Sequence, residues 1–214
     1  MINIKILEIT QIKENPFFVY NLNILESNYN KLKIIWGKHQ KFNINVYYSL
    51  KSNPHPQIIN KLNQLGSHFD ASSYNELILL EKLNIDAKKI SISGPAKTEK
   101  LVDKTKKMGV HALHIDSLQE LKKINNMGIH TNTLLTLRLA VKGALWKKLG
   151  MSSDTILKIL ENLSQQRFDG FHLYLGREQF TVEQAINYID TAKSIMGQFK
   201  NKFSNKFAMY FGTG

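Results

Sequence analysis

The sequence contains no cysteine, which removes disulfides, thiolate metal sites and a thiol nucleophile in one step. Proline is scarce, with 4 in 214 residues, and no Pro- or Gly-rich tract marks a linker. No apolar run approaches the roughly 20 residues needed to cross a bilayer. The N-terminus, MINIKILEIT, mixes charge with apolar residues and does not read as a secretory signal. A cytoplasmic protein without a membrane partner is expected. Arginine is also scarce: Arg138, Arg167 and Arg177 are the only three, in a chain of net charge +12. Bidentate phosphate or base recognition prefers arginine, and the lysines are scattered over many helical patterns. The joint richness in Lys, Asn and Ile reflects a biased genome more than a binding surface, so no nucleic-acid partner is expected.

What is present is a rhythm. Short β-branched or aromatic runs occur at Phe17–Tyr20, Ile44–Ser49, His68–Ala71, Ile90–Ser93, Val110–Ile115, Leu134–Leu139, Phe171–Leu175 and Phe207–Phe211. Helical patterns lie between them at Leu25–His39, Gln57–Leu65, Tyr74–Leu83, Glu99–Met108, Leu118–Asn126, Ser153–Gln165 and Val182–Phe199. Ser152, Ser153 and Asp154 are N-cap candidates for the sixth helix, and Thr181 with Gln184 forms a capping box for the seventh. Strands separated by helices imply a parallel sheet with right-handed crossovers. Setting aside the first run, seven such strands remain, in the regular order of a β/α barrel. A closed barrel has eight strands, and the chain stops at Gly214, where the next helix would begin. A truncated barrel is therefore expected.

In a parallel barrel the strand C-termini converge on one face, and that face holds the site. Lys51 follows strand one, Asp70 ends strand two and Ser93-Gly94-Pro95 strand three. Asp116 follows strand four, Arg138 lies on strand five, Tyr174-Leu175-Gly176-Arg177 ends strand six and Gly212-Thr213-Gly214 ends strand seven. An amine, acids, an aromatic ring, an arginine and exposed backbone amides suit a phosphorylated, planar, carbonyl-bearing ligand. Taken singly, each has a plainer reading. Lys51 is one solvated lysine among many, Asp70 caps the helix near Tyr74, Tyr174 fills the barrel, and Gly-Thr-Gly is a turn. His111 and His114 sit three apart, which on a strand points them to opposite faces and makes a poor metal pair.

The combination is more specific. Tyr47-Tyr48-Ser49-Leu50-Lys51-Ser52-Asn53-Pro54, then Phe69-Asp70-Ala71-Ser72-Ser73-Tyr74-Asn75-Glu76, resembles the fold-type III pyridoxal-phosphate decarboxylases, which act on ornithine, diaminopimelate or arginine. Their hallmark is a Tyr-Ala-x-Lys-Ala-Asn-like segment followed, after one helix, by a Phe-Asp-x-Ser-like segment. Asn15-Pro16-Phe17-Phe18-Val19-Tyr20 is similar to the family's Thr-Pro-x-x-Val-Tyr opening. Ser93-Gly94-Pro95-Ala96-Lys97-Thr98 is similar to its Ser-Gly-x-x-Lys segment. Ile115-Asp116-Ser117 through Glu120-Leu121 resembles Val-Asp-Ser…Glu-Leu, and Lys148-Leu149-Gly150-Met151 resembles Lys-Phe-Gly-Met. The resemblance covers essentially the whole chain.

The resemblance implies an α/β fold of alanine-racemase-like (β/α)8 TIM type, truncated after about seven strands. Residues 1–23 would be an N-terminal strand pairing with an absent C-terminal β-domain, and residues 24–214 an incomplete pyridoxal-phosphate-binding barrel. It implies pyridoxal 5'-phosphate as cofactor and Lys51 as the lysine forming the internal Schiff base. Asp70, Glu76 and Arg138 match polar residues around that lysine and the cofactor, and Gly214 the last glycine of a phosphate-approaching turn that includes Gly212. Tyr174 and Arg177 fall where the family has the ring-stacking histidine and the phosphate-side serine of His-Val-Gly-Ser. Tyrosine still offers a π-face, and arginine an anion partner. The family's Glu-Pro-Gly-Arg segment, catalytic cysteine and β-domain would lie beyond Gly214. The expected reaction is decarboxylation of an amino acid, with a homodimer for a full-length form and little activity for this chain alone. Two alternatives stay open: a non-catalytic remnant or accessory half of a split decarboxylase, and an amino-acid racemase on the same barrel and cofactor.

Overall fold

The structure is a computed structural model, which describes residues 18–38, 43–129, 132–140, 149–162, 168–174 and 181–212. The chain divides into two compact units, Met1–Asn43 and Ile44–Gly214; the division falls later in the chain than the 23/24 boundary read from the resemblance. In the first unit, helix α1 (Leu22–Gly37) is capped by the Asn21 side chain, which accepts from the N–H groups of Asn23 and Ile24. The expected strand at Phe17–Tyr20 is not found over residues 18–20, which are irregular. A strand exists only by pairing its backbone, and residues 18–20 pair with no described strand.

The second unit contains seven parallel strands in the order β1 to β7. They are β1 (Tyr47–Ser49), β2 (His68–Ala71), β3 (Ile90–Ile92), β4 (Ala112–Ile115), β5 (Leu134–Leu139), β6 (Phe168–Tyr174) and β7 (Phe203–Gly212). Between them run α2 (Pro56–Gln64), α3 (Tyr74–Lys82), α4 (Glu99–Met108), α5 (Leu118–Met127), α6 (Ser153–Asn162) and α7 (Val182–Gln198). Each helix start has a local cause. Ser73, Thr98 and Ser117 side chains accept from the N–H groups of Glu76, Leu101 and Glu120, and the Thr181/Gln184 capping box is fully formed. α4 ends on Gly109 at φ +63, the left-handed conformation glycine adopts without strain.

Strand alternation divides the unit into two layers. Phe69, Ala71, Leu113, Ile115, Leu137, Leu139, Phe171 and Leu173 are buried beside the apolar helix faces, including Leu77 and Leu80 of α3 and Ile156, Ile159 and Leu160 of α6. The opposite sheet face is polar. It carries Tyr47, His68, Asp70, Ser91, His114, Thr136, Arg138, His172, Tyr174 and Tyr210. Tyr47 of β1 meets Tyr210 of β7 with ring centroids 5.4 Å apart, so the sheet curls until its first and last strands touch through their inner side chains.

Two strands begin earlier than expected. β6 starts at Phe168 and β7 at Phe203, where the two pair. The Asp169 carboxylate accepts from the Leu135 N–H at 2.8 Å, so a residue that looks like a turn former is part of the sheet. His111 corrects another expectation. It precedes β4, where strand alternation does not apply, and its ring lies 6.5 Å from that of Tyr47 and 6.4 Å from that of His68. Both it and His114 therefore reach the polar interior rather than opposite faces.

Candidate active site

Most of the residues picked out by sequence meet at the strand C-termini. Lys51 stands exposed just after β1, its Nζ 5.3 Å from the ring centroid of Tyr174 at the end of β6. Arg138 of β5 brings its Cζ to the same ring, also at 5.3 Å. Its guanidinium is buried, and Nη1 donates to Asp116 Oδ1 at 2.6 Å. The return of the chain at Gly150-Met151 brackets this arginine. Met151 N–H donates to the Arg138 carbonyl at 2.8 Å, and Gly150, at φ +82, lies so close that a Cβ would be 3.2 Å from Arg138 Cγ. Gly212 at the end of β7 is confined in the same way: a Cβ there would meet Tyr174 Cδ2 at 2.7 Å. Only glycine lets this backbone lie against the ring.

Asp70 does not cap the helix that follows; Ser73 does. The Asp70 carboxylate accepts from the hydroxyls of Ser91 at 2.8 Å and Ser93 at 2.6 Å. Burial pushes its pKa up, the two serine hydrogen bonds and the Lys51 charge oppose the rise, and Glu76 adds to it. Glu76 is bound locally: its Oε2 accepts from the Ser72 N–H at 2.6 Å, which closes the turn after β2. Arg177 and Gly214, with Lys148 and Thr213, lie outside the described residues.

Sequence reasoning placed Asp116 at the strand end without a partner, and it passed over the layer beneath. There His114 and His172 stack with centroids 4.4 Å apart and planes 16° from parallel, and His114 Nδ1 lies 2.6 Å from Thr136 Oγ1. His172 falls at an inward position of β6, two residues before Tyr174, and that period-2 spacing could have revealed it. Burial, then the charges of Arg138, Lys97 and Lys51, pushes His172 down to about 3. Burial and the neighbouring His172 hold His114 well below its usual 6.5. The fold thus refuses protons that the unfolded chain binds. Stability from this pair is complete above the unfolded value and is lost as pH falls from 6.5 toward 3. Through His172 alone the unfolding free energy in urea should drop by about 1.5–2 kcal/mol between pH 6.5 and pH 5, and His114 shifts it in the same direction. His172→Phe should remove the His172 share of that pH dependence. Asp70, shifted with the opposite sign, is common to both proteins and cancels in the comparison. Equal slopes in the two proteins would refute a neutral buried His172.

The site, then, is a lysine amine and a buried arginine on one aromatic ring, at the carboxyl ends of a parallel β/α sheet. Residues 28–206 match the family model described as pyridoxal-dependent decarboxylase, pyridoxal binding domain, and the chain belongs to this family, whose cofactor is pyridoxal phosphate. Among curated relatives, an L-glutamyl-[BtrI acyl-carrier protein] decarboxylase of Niallia circulans is 24% identical over 85% of this chain and 45% of its own length. A lysine/ornithine decarboxylase of Selenomonas ruminantium is 30% identical over 51% of this chain and 26% of its own. Among solved structures, the lysine/ornithine decarboxylase of Vibrio vulnificus complexed with putrescine superposes with a TM-score of 0.81 at 21% identity, covering 99% of this chain and 57% of that one. The chain spans about half the length of the relatives it matches.

Proposed function

We propose that this chain carries the pyridoxal-phosphate site of an amino-acid decarboxylase, with Lys51 as the residue that binds the cofactor aldehyde. The observation that carries the reading is the approach of Lys51 and Arg138 to the Tyr174 face, beside the carboxylate of Asp70. The residues fit the group. The exposed Lys51 is free to react, Tyr174 offers a flat π-face, Arg138 offers a cation, and Gly212 leaves its backbone close to the ring. When bound, pyridoxal phosphate supplies the electron sink that accepts the pair left as a carboxylate departs. The chain's own residues bind and orient. Lys51 holds the cofactor and takes part in product release, and Arg138, itself held by Asp116, keeps a fixed positive charge over the ring. Arg177 and Gly214 belong to the same reading as cofactor contacts, as does Glu76 through the turn it closes. The reading also includes a homodimer of the full-length form, an amino-acid substrate and a cytoplasmic location. Among the described residues no helix is long and apolar enough to cross a membrane.

The test is labelling. Added pyridoxal phosphate should give a visible absorbance band, and borohydride reduction followed by peptide mapping should place the label predominantly on Lys51. Lys51→Ala should abolish the band while leaving the circular dichroism unchanged. Label spread evenly over the many surface lysines, with a band that survives Lys51→Ala, would sink the proposal.

A further inference from the structure

Four charged side chains are buried together between the loops after β3 and β4 and strand β5: Lys97, Asp116, Glu120 and Arg138, at 2%, 6%, 4% and 7% exposure. They form two ion pairs, Lys97 Nζ to Glu120 Oε2 at 3.1 Å and Arg138 Nη1 to Asp116 Oδ1 at 2.6 Å. Glu120 links them, because its Oε2 also accepts from the Asp116 backbone N–H at 2.7 Å. Its other oxygen accepts from the Lys97 N–H at 3.1 Å. The Lys97 ammonium donates to the carbonyls of Gly94 and His114, each at 2.6 Å, as well as to Glu120. All three of its protons are thereby committed. The loop accepts backbone strain to bring this lysine inward, for Ala96 sits at φ +55, a conformation costly for a residue with a Cβ. Buried ion pairs are weak stabilisers compared with apolar packing, so stability alone is a poor reason to assemble two of them side by side.

We propose that the Lys97–Glu120 pair is a positioning device for Arg138: it holds the backbone of Asp116, and the Asp116 carboxylate then aims the guanidinium at the Tyr174 face. The role in cofactor binding rests on the reading of Lys51 given above. Lys97 and Glu120 act through Asp116 and Arg138, and are positioning residues rather than catalytic ones.

Two measurements test this in the full chain. The first needs no cofactor. With three arginines in the sequence, the Arg138 Nε–H can be followed in nitrogen-edited NMR spectra. Glu120→Gln and Asp116→Asn should each speed its exchange with solvent about tenfold, while the β6 amides of Phe171 and Leu173 keep their rates. A merely structural role would raise both together. The second is a cycle in pyridoxal-phosphate affinity. Glu120→Gln should weaken binding about tenfold in the parent chain but less than about twofold in the Asp116→Asn background, because the effect passes through Asp116. If Glu120→Gln fails to fold, Lys97→Met/Glu120→Gln, which leaves no unpaired charge, takes its place in both. Unchanged Arg138 exchange, or multiplicative losses of affinity, would overturn the inference. Label on Lys51 combined with an unresponsive Arg138 would remove this inference and leave the proposed function standing. A responsive Arg138 in a chain that never holds cofactor on Lys51 would do the reverse.

Discussion

A Gly170→Ala chain is expected not to hold its fold. Gly170 lies in β6 at φ +147, and an ideal Cβ there would fall 1.8 Å from the Ala208 carbonyl oxygen and 2.8 Å from its carbon. Both atoms are backbone of β7, so no rotamer change relieves the clash. The two strands must part. The backbone conformation alone costs about 1–3 kcal/mol for a residue with a side chain. Losing the adjoining β6–β7 pairing, which already carries a register shift between Phe168 and Gly170, takes the total above about 4 kcal/mol. That approaches the lower end of the roughly 5–15 kcal/mol holding a typical domain together. Circular dichroism and urea titration of the variant would check it. A midpoint near that of the parent would contradict the close approach of β6 and β7. Since β6 also carries His172 and Tyr174, cofactor binding should be lost with the fold.

Lys97→Met should cost about 3–5 kcal/mol, the range for removing one member of a buried ion pair. The methionine fills most of the space, so the cost is electrostatic. Glu120 keeps its charge with the ammonium gone, and the carbonyls of Gly94 and His114 lose a donor in a site that excludes water. Glu120→Gln made in that background should return about 1–2 kcal/mol by neutralising the stranded charge. Urea unfolding of the parent, the two single variants and the double variant checks both statements. Two single losses that simply add would show that the charges do not interact.

The strand–helix alternation was legible because each β/α unit writes its own pattern. The Glu99–Met108 helix is found at the bounds its periodicity predicts, and the Thr181/Gln184 cap forms as its spacing requires. The beginnings of β6 and β7 were not legible. Asp169-Gly170 has the composition of a turn, yet the aspartate bonds to β5 and the glycine admits β7, two partners distant in sequence. The interior histidines escaped for a related reason. An imidazole among apolar neighbours carries no sign of what it stacks on, and His111 reaches the interior because it precedes the strand whose alternation would have turned it away.

The ordered motifs around Lys51 carried the resemblance to the family and its cofactor, while the absence of cysteine and the scarcity of arginine only excluded other chemistries, because all of these are properties of residue type and local spacing. The tertiary structure alone decided which of those residues meet. Curling of the sheet brings β1, β5 and β6 together so that Lys51, Arg138 and Tyr174 share one ring. Pairing of neighbouring strands β2 and β3 sets Asp70 against Ser91 and Ser93 instead of a helix cap, and pairing of β3 with β4 brings Lys97 to Asp116 through Glu120. Such contacts arise between strands far apart in sequence, where spacing along the chain carries no information about distance in space.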